Sequence, residues 1–303
     1  MRKILFGIVL VSLCATSLWA HDSLIEGYDT HQQQDVVIKT EKVAGNVYVL
    51  FGQGGNIGVS VGKDGLLMID DQFERIADKI KTALKELGSE TPRFVFNTHF
   101  HGDHTGGNPV FGKDATIIAQ DNVRKRLLAD TKFSALGLPT ITYATGISIH
   151  FNGEEVRAVH FPNGHTDGDT VLFFTGSNVV HLGDDFFAGK FPFIDLNSGG
   201  SVPGLIKNIG ELISQIPSDA KLIPGHGAVS TLTDLKNYQQ MLVETTDVVR
   251  KAMDKKKSLA EIQKAGLPDK YKSWGDGFIK PDVWIKTIYN SYAMDMKEMK
   301  KSE

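Results

Sequence analysis

The feature that most restricts what this chain can become is a short segment between positions 99 and 104. Three imidazoles and one carboxylate fall within these six residues: His99, His101, Asp103 and His104. They follow an apolar run at 93–97 that predicts a buried strand, and side chains two positions apart on extended backbone point the same way. Gly102 allows the chain to turn, so that Asp103 and His104 can face a second point. Imidazole nitrogen with carboxylate oxygen is a ligand set that suits zinc, with iron, manganese and nickel as competitors.

The motif His99-x-His101-x-Asp103-His104 resembles the signature of the metallo-β-lactamase superfamily. Three segments that resemble the rest of that signature follow once each and in the expected order: Asn163-Gly164-His165-Thr166, Leu182-Gly183-Asp184 and Pro224-Gly225-His226-Gly227. The resemblance covers roughly residues 45 to 230. It implies an α+β fold, namely an αββα sandwich in which two mixed β-sheets are flanked by helices.

The resemblance also implies which residues hold metal. His99, His101 and His165 would bind one zinc ion, and Asp103, His104 and His226 a second, with Asp184 bridging the two ions. In such enzymes a metal-bridging hydroxide attacks an ester, thioester, lactone or amide carbonyl, and Asp103 would orient it as the catalytic carboxylate. The implied cofactor is therefore two Zn²⁺ per chain. The implied activity is that of a zinc-dependent, β-lactamase-like hydrolase, with β-lactams among the expected substrates.

The bridging position separates this chain from one part of the family it resembles. Asp184 stands where β-lactamases of the cysteine-ligand type carry Cys, and in this respect the chain is similar to glyoxalase II and many lactonases. β-Lactams, lactones and thioesters are not separated by motif. Two other classes of function stay open: a mononuclear iron persulfide dioxygenase on the same fold, and a non-catalytic binding protein. Such oxygenases use only part of the ligand set, so the presence of both His104 and His226 favours hydrolysis.

Periodicity along the chain predicts short strands alternating with amphipathic helices. The predicted strands lie at 46–51, 57–61, 66–70, 93–97, 116–119, 146–151, 155–161, 170–174 and 178–182. The predicted helices lie at 73–87, 122–129, 202–216, 232–253 and 281–299. Taken alone, this pattern indicates only the α/β or α+β class.

Residues 1–20 have the form of a secretory signal peptide. Arg2 and Lys3 precede an apolar run that ends at Ala20 and is too short for a comfortable membrane span. We expect cleavage after Ala20, export to the periplasm or the medium, and no stable membrane insertion afterwards; an uncleaved anchor is the alternative. Residues 21–303 would form a single domain, with a metal-binding core at about 45–230 and a helical extension at about 231–303.

The cysteine content and the net charge limit which metal ligands and binding partners the chain can have. The only cysteine, Cys14, lies in the predicted signal peptide, so the mature chain would have neither disulfides nor thiolate ligands for zinc. Removing Arg2 and Lys3 changes the formal net charge from −3 to −5, and no basic block is present, which argues against a nucleic-acid partner. A small-molecule substrate is expected. The sequence does not indicate an oligomeric state.

A phenylalanine-rich segment at 186–200 directly follows the bridging aspartate. We expect it to overhang the metal site, where its four phenylalanines could form an apolar wall and Lys190 could bind an anionic group of the substrate. Packing of the phenylalanines beneath the next helix explains them equally well.

Overall fold

The computed structural model describes the backbone of residues 36–302 and the side chains of residues 36–294. The predicted signal peptide at 1–20 lies outside the described residues. Within residues 36–302, no helix is both long and apolar enough to span a membrane.

The first sheet is mixed and contains seven strands within the described residues. They lie side by side in chain order: β1 (Lys39–Ala44), β2 (Val47–Phe51), β3 (Ile57–Gly62), β4 (Gly65–Ile69), β5 (Phe94–Phe96), β6 (Thr116–Gln120) and β7 (Ile141–Tyr143). Strands β1 to β4 pair antiparallel, whereas β4 to β7 pair parallel. The parallel pairing brings the carboxyl ends of β4 and β5, where Asp70 and Asn97 follow, to the same edge of the sheet.

The second sheet is also mixed and contains five strands within the described part of the chain. They are β8 (Gly146–Phe151), β9 (Glu154–His160), β10 (Thr170–Phe174), β11 (Val179–Phe187) and β12 (Lys221–His226), in the spatial order β12-β11-β10-β9-β8. Only the β11–β12 pair is parallel. Every residue of β10 and β11 is buried, which is typical of central strands covered on both faces.

Helices cover the outer faces of both sheets. The described α-helices are α1 (Ala77–Glu86), α2 (Gly102–Thr105), α3 (Asn108–Phe111), α4 (Asp121–Ala129), α5 (Val202–Gln215), α6 (Leu232–Asp254), α7 (Leu259–Ala265) and α8 (Pro281–Ser302). Short 3₁₀ turns lie at Glu74–Ile76, Ala135–Gly137, Leu196–Ser198 and Asp269–Asp276. A capping box between Thr231 and Asp234 begins the longest of these helices, α6.

Three layers of apolar side chains hold the sandwich together. Between the sheets, Phe96 of β5 packs in one cluster with Leu172 of β10 and Ile223 of β12. Helix α1 packs on the outer face of the first sheet, and α5, α6 and α8 pack on the outer face of the second. The expected αββα sandwich of two mixed sheets flanked by helices is therefore confirmed.

Strand β11 is longer than the sequence pattern predicts, and the difference bears on the site. The apolar pattern predicts a strand that ends at Leu182, yet β11 continues to Phe187. Its register with β12 shifts on both sides of Gly183, whose φ of +52° is accessible to glycine at little cost. This irregularity lets two successive carboxylates, Asp184 and Asp185, lie inside a strand whose other residues are apolar apart from His181 and Gly183.

Candidate metal centre

The seven predicted ligands meet at one edge of the sandwich. His99 and His101 follow β5, and Asp103 and His104 lie in the short helix α2 that begins after His101. His165 precedes β10, Asp184 lies on β11, and His226 ends β12. Segments that lie up to 127 positions apart in the printed sequence thus converge because the strand ends that carry them share an edge.

The ligand atoms form two groups. The first cluster is His99, His101, His165 and Asp184, and the second cluster is Asp103, His104 and His226. Within each cluster, one ligand atom from every residue lies within 4.8 Å of the others. The first cluster is nearly enclosed, whereas Asp103 and His226 of the second keep 31% and 33% of their side-chain surface exposed. The second cluster is therefore the more accessible of the two to solvent.

Asp184 lies between the two clusters. Its Oδ1 atom is 3.1 Å from His104 Nε2 and 3.4 Å from His226 Nε2. Its Oδ2 atom is 3.5 Å from His165 Nε2 and 3.8 Å from His99 Nε2. One carboxylate thus presents a separate oxygen to each cluster.

The donor atoms fit a pair of divalent cations. Three buried ligand atoms form no hydrogen bond among the described residues: His99 Nε2, His104 Nε2 and Asp184 Oδ1. The last two lie 3.1 Å apart but do not have hydrogen-bond geometry. Buried polar atoms without partners are uncommon and cost free energy, and a cation at each cluster would satisfy all three. The set contains nitrogen and oxygen but no sulfur, which suits zinc and admits other divalent ions. The two clusters together therefore form a metal-binding site.

Burial keeps two imidazoles of the first cluster neutral. It lowers the pKa of His99 well below its usual value and the pKa of His165 to about 4. The second cluster differs. Burial alone would lower the pKa of both its histidines, but nearby carboxylates, chiefly Asp184, hold the pKa of His104 well above its usual value and raise that of His226 to about 9. A metal ion at the second cluster therefore has to displace protons.

Carboxylates outside the predicted set orient the histidines. His104 Nδ1 lies 2.7 Å from Asp70 Oδ2, and both side chains are completely buried. Thr98 Oγ1 donates to the same Asp70 oxygen at 2.8 Å. His101 Nε2 lies 3.2 Å from Asp195 Oδ2. Neither Asp70 nor Asp195 belongs to the four motifs, so neither was predicted as a partner of a ligand. The only signal in the sequence concerns Asp70, which is an acidic residue directly after the apolar strand that ends at Ile69.

Two glycines make room for the ligands. A Cβ atom at Gly55 would collide with the imidazole of His104, and one at Gly225 would collide with the Asp184 carboxylate. Gly55 belongs to the turn at 52–56, which is tied to the site by a 3.0 Å hydrogen bond from Gly55 N–H to the Asp103 carbonyl. This turn therefore packs directly against the second cluster.

The carboxylates near His165 have other partners. Asp167 forms a bidentate pair with Arg126, with N···O distances of 2.6 and 2.7 Å. Asp169 accepts hydrogen bonds from the Thr166 backbone N–H and hydroxyl. The partner of His165 Nδ1 is therefore not one of these carboxylates but the backbone carbonyl of Phe193, which lies 2.8 Å away and accepts its proton.

The phenylalanine-rich segment lies partly in the core and partly beside the metal centre. Phe186 and Phe191 are buried, whereas Phe193 is 39% exposed and its ring lies 5.7 Å from that of His101. The stem of Lys190 packs against Gly277. Among the described residues, the Lys190 ammonium has no ion pair or hydrogen bond. Phe193 thus places the segment beside the metal centre, whereas binding of a substrate anion by Lys190 stays a prediction.

A family model described as the metallo-beta-lactamase superfamily matches residues 43–245, well over half of the chain. The chain belongs to the metallo-β-lactamase superfamily. The resemblance inferred from the four motifs is therefore confirmed.

Curated relatives match a shorter stretch. A hydroxyacylglutathione hydrolase of Synechococcus sp. (strain JA-3-3Ab) is 30% identical over 117 residues, which is 38% of this chain and 42% of that protein. A hydroxyacylglutathione hydrolase of Nitrosococcus oceani is 26% identical over 136 residues, which is 44% of this chain and 47% of that protein. The match thus spans less than half the length of these relatives.

Solved structures share the fold. A double mutant of the sec-alkyl sulfatase PisA1 superimposes with a TM-score of 0.68 at 14% identity, over 84% of this chain and 50% of that one. The DIM-1 metallo-β-lactamase superimposes with a TM-score of 0.59 at 18% identity, over 69% of this chain and 98% of that one. At these identities the likeness shows the fold alone.

Proposed function

We propose that this protein is an exported dinuclear zinc hydrolase that cleaves an ester, thioester, lactone or amide bond. One observation carries the proposal: the two oxygens of Asp184 face two separate groups of ligand atoms. A carboxylate in this position suits two cations that share it, and hydrolases use such pairs at a spacing of about 3.5–4 Å. His99, His101 and His165 would hold one ion with Asp184, and Asp103, His104 and His226 the other.

Asp103 is the residue of the chain that acts on the reacting water. When bound, the two ions would supply a water of lowered pKa and an electrophile for the carbonyl oxygen. Burial raises the pKa of Asp103, but His104 and His226 outweigh it and lower that pKa to about 2, so the side chain is an ionised acceptor. It accepts a hydrogen bond from the attacking water and so orients it. The water oxygen bonds to the acyl carbon, the bond to the leaving atom breaks, and the proton passes to the leaving group.

The curated relatives support a thioester as the first substrate class to test. Their name, hydroxyacylglutathione hydrolase, describes hydrolysis of a thioester between a hydroxy acid and glutathione. The aspartate at position 184, where β-lactamases of the cysteine-ligand type carry Cys, is a second feature in which the chain resembles glyoxalase II. Lactones and β-lactams are the next classes.

Export is part of the proposal and is supported by the sequence alone. Cleavage after Ala20 would leave His21 as the first residue of the mature protein. Cell fractionation and mass spectrometry of the purified chain test this. A mature N-terminus at His21 in the soluble exported fraction is expected, and an intact Met1 in the cytosol would contradict export without bearing on the metal site.

The experiment for the activity is a substrate panel on the purified mature protein. A hydroxyacylglutathione thioester, an acyl-homoserine lactone and a chromogenic cephalosporin are each assayed as isolated, after chelation, and after zinc is added back. We expect turnover of at least one substrate that is lost on chelation and restored by zinc. Turnover that chelation does not change would contradict a metal-dependent mechanism.

A further inference from the structure

We propose that Asp195 is a positioning residue dedicated to the first cluster, an inference that rests on the proposed metal-dependent function. Asp195 Oδ2 lies 3.2 Å from His101 Nε2, and on the opposite side of the same ring His101 Nδ1 lies 2.8 Å from His165 Nε2. A carboxylate that accepts the proton of Nε2 leaves the lone pair of Nδ1 directed at the cluster. Asp195 thus selects the tautomer of His101 that can bind an ion there.

Asp195 is itself held in place on every side. Its second oxygen, Oδ1, accepts the backbone N–H groups of Asn197 and Ser198, each at 3.1 Å. Its own N–H donates to the His165 carbonyl at 2.9 Å, and its carbonyl accepts the Gly200 N–H at 2.9 Å. The carboxylate therefore has one fixed orientation, which leaves Oδ2 free for the imidazole.

The segment that carries Asp195 contacts a second ligand of the same cluster. Two residues earlier, the Phe193 carbonyl accepts the proton of His165 Nδ1 at 2.8 Å. One loop thus orients two of the three first-cluster histidines. Among the described residues, no hydrogen bond or ion pair joins residues 193–195 to the second cluster, whose His104 is held by Asp70 from the other sheet.

The loop is anchored by a part of the chain that lies beyond the family match. Phe191 N–H donates to the Trp274 carbonyl at 3.1 Å, and the Phe191 ring stacks on Trp284 with centroids 6.1 Å apart. At the far end of the loop, Val202 N–H donates to Ser291 Oγ at 3.0 Å. All three partners follow residue 245, where the family match ends. The C-terminal helices therefore support the first cluster through this loop.

Asp195 contacts a ring of the first cluster only. Asp70 contacts His104 of the second cluster directly and reaches the first cluster only through Thr98, whose hydroxyl lies 3.0 Å from His99 Nδ1. Loss of either carboxylate should therefore weaken mainly one cluster.

The test is zinc binding by the metal-free mature protein, measured in competition with a chromophoric chelator. The variants are Asp195→Asn, Asp195→Ala and Asp70→Asn. The control is Asp64→Asn, because the Asp64 carboxylate accepts the Asn152 N–H at the opposite end of β4 from the site.

We expect two zinc-binding steps in the unmodified protein. Each Asp195 variant should weaken one step by about 10- to 100-fold, with the larger loss of affinity in Asp195→Ala. Asp70→Asn should weaken mainly the other step. Asp64→Asn should leave both unchanged. If Asp195 only stabilised the fold, its variants would weaken both zinc-binding steps alike.

Three results would overturn the inference. Equal weakening of both steps by Asp195→Asn would indicate a general effect on the fold. Unchanged zinc binding would show that Asp195 only accepts the backbone N–H groups of its own turn. The inference would also be contradicted if Asp195→Asn and Asp70→Asn both weakened the same step most strongly. These results leave the proposed hydrolase intact, whereas an unmodified protein that binds no zinc would overturn both proposals.

Discussion

Asp103 Oδ2 lies 3.3 Å from His226 Nε2, and these two side chains are the exposed members of the second cluster. His104, the third member, is completely buried. A substrate therefore meets Asp103 and His226 before it meets any deeper ligand of that cluster. This position suits Asp103 to the role proposed for it, orienting the attacking water.

Replacing Asp103 by Asn should lower kcat by about 10²- to 10⁴-fold, because an uncharged amide is a weaker hydrogen-bond acceptor for the attacking water and binds a cation weakly. The first cluster is untouched by this change, so about one zinc ion per chain should remain. Steady-state kinetics and metal analysis of the same sample check both statements. A variant that keeps the kcat of the unmodified protein would remove Asp103 from the mechanism.

The two clusters should differ in the pH dependence of zinc binding. In the metal-free chain the pKa of His226 is about 9 and that of His104 is raised, so both bind protons at pH 7 and an ion must displace them. Affinity at the second cluster should therefore fall as pH decreases below 9, by about tenfold per pH unit for each displaced proton.

The first cluster should respond less to pH, because the pKa of His165 is about 4 and that of His99 is also lowered. Zinc titrations between pH 6.5 and 8.5 compare the two steps directly. Identical slopes for both steps would show that the carboxylates around His104 do not retain its proton.

Replacing Gly55 by Ala should disrupt the second cluster. The new methyl group would collide with the His104 imidazole, which cannot move because it is buried and held by Asp70. We expect bound zinc to fall from two ions to one. Gly210→Ala is the matched control, because its Cβ would meet only the flexible Gln239 side chain, at 3.1 Å. Two tightly bound ions in Gly55→Ala would refute the steric argument.

Lys190→Ala should raise KM for an anionic substrate by about tenfold and leave kcat nearly unchanged, because a cation that binds the substrate away from the reacting atoms would contribute equally in ground and transition states. Lys207→Ala is the control, since its ammonium lies 3.6 Å from Glu211 on α5. A hydroxyacylglutathione thioester is a suitable anionic probe. An unchanged KM would exclude Lys190 from substrate binding.

The parts of the structure that the sequence predicts correctly are those marked by a short, local pattern of residues. The ligand segments were recognisable because each motif is compact and follows an apolar strand, and the sandwich followed from the family resemblance. Strand β1 was not predicted, because its sequence, Lys-Thr-Glu-Lys-Val-Ala, lacks apolar alternation and the strand exists through pairing with β2 at the sheet edge.

The residues that orient the ligands could not be predicted, because their partners are distant in sequence. Asp70 and His104 are 34 positions apart, and His101 and Asp195 are 94 apart. No local pattern marks either carboxylate as the partner of a particular ring. The division into a signal peptide at 1–20 and a single mature domain at 21–303 stays a prediction.

The central claim is that the chain holds two zinc ions and uses them for hydrolysis. The most direct test is the metal content of the purified mature protein, measured before and after chelation, with turnover followed in the same samples. We predict two zinc ions per chain and hydrolysis that is lost as they are removed, and a reduced zinc content in Asp184→Ala. One iron ion per chain, with oxygen uptake on a persulfide in place of hydrolysis, would contradict this account.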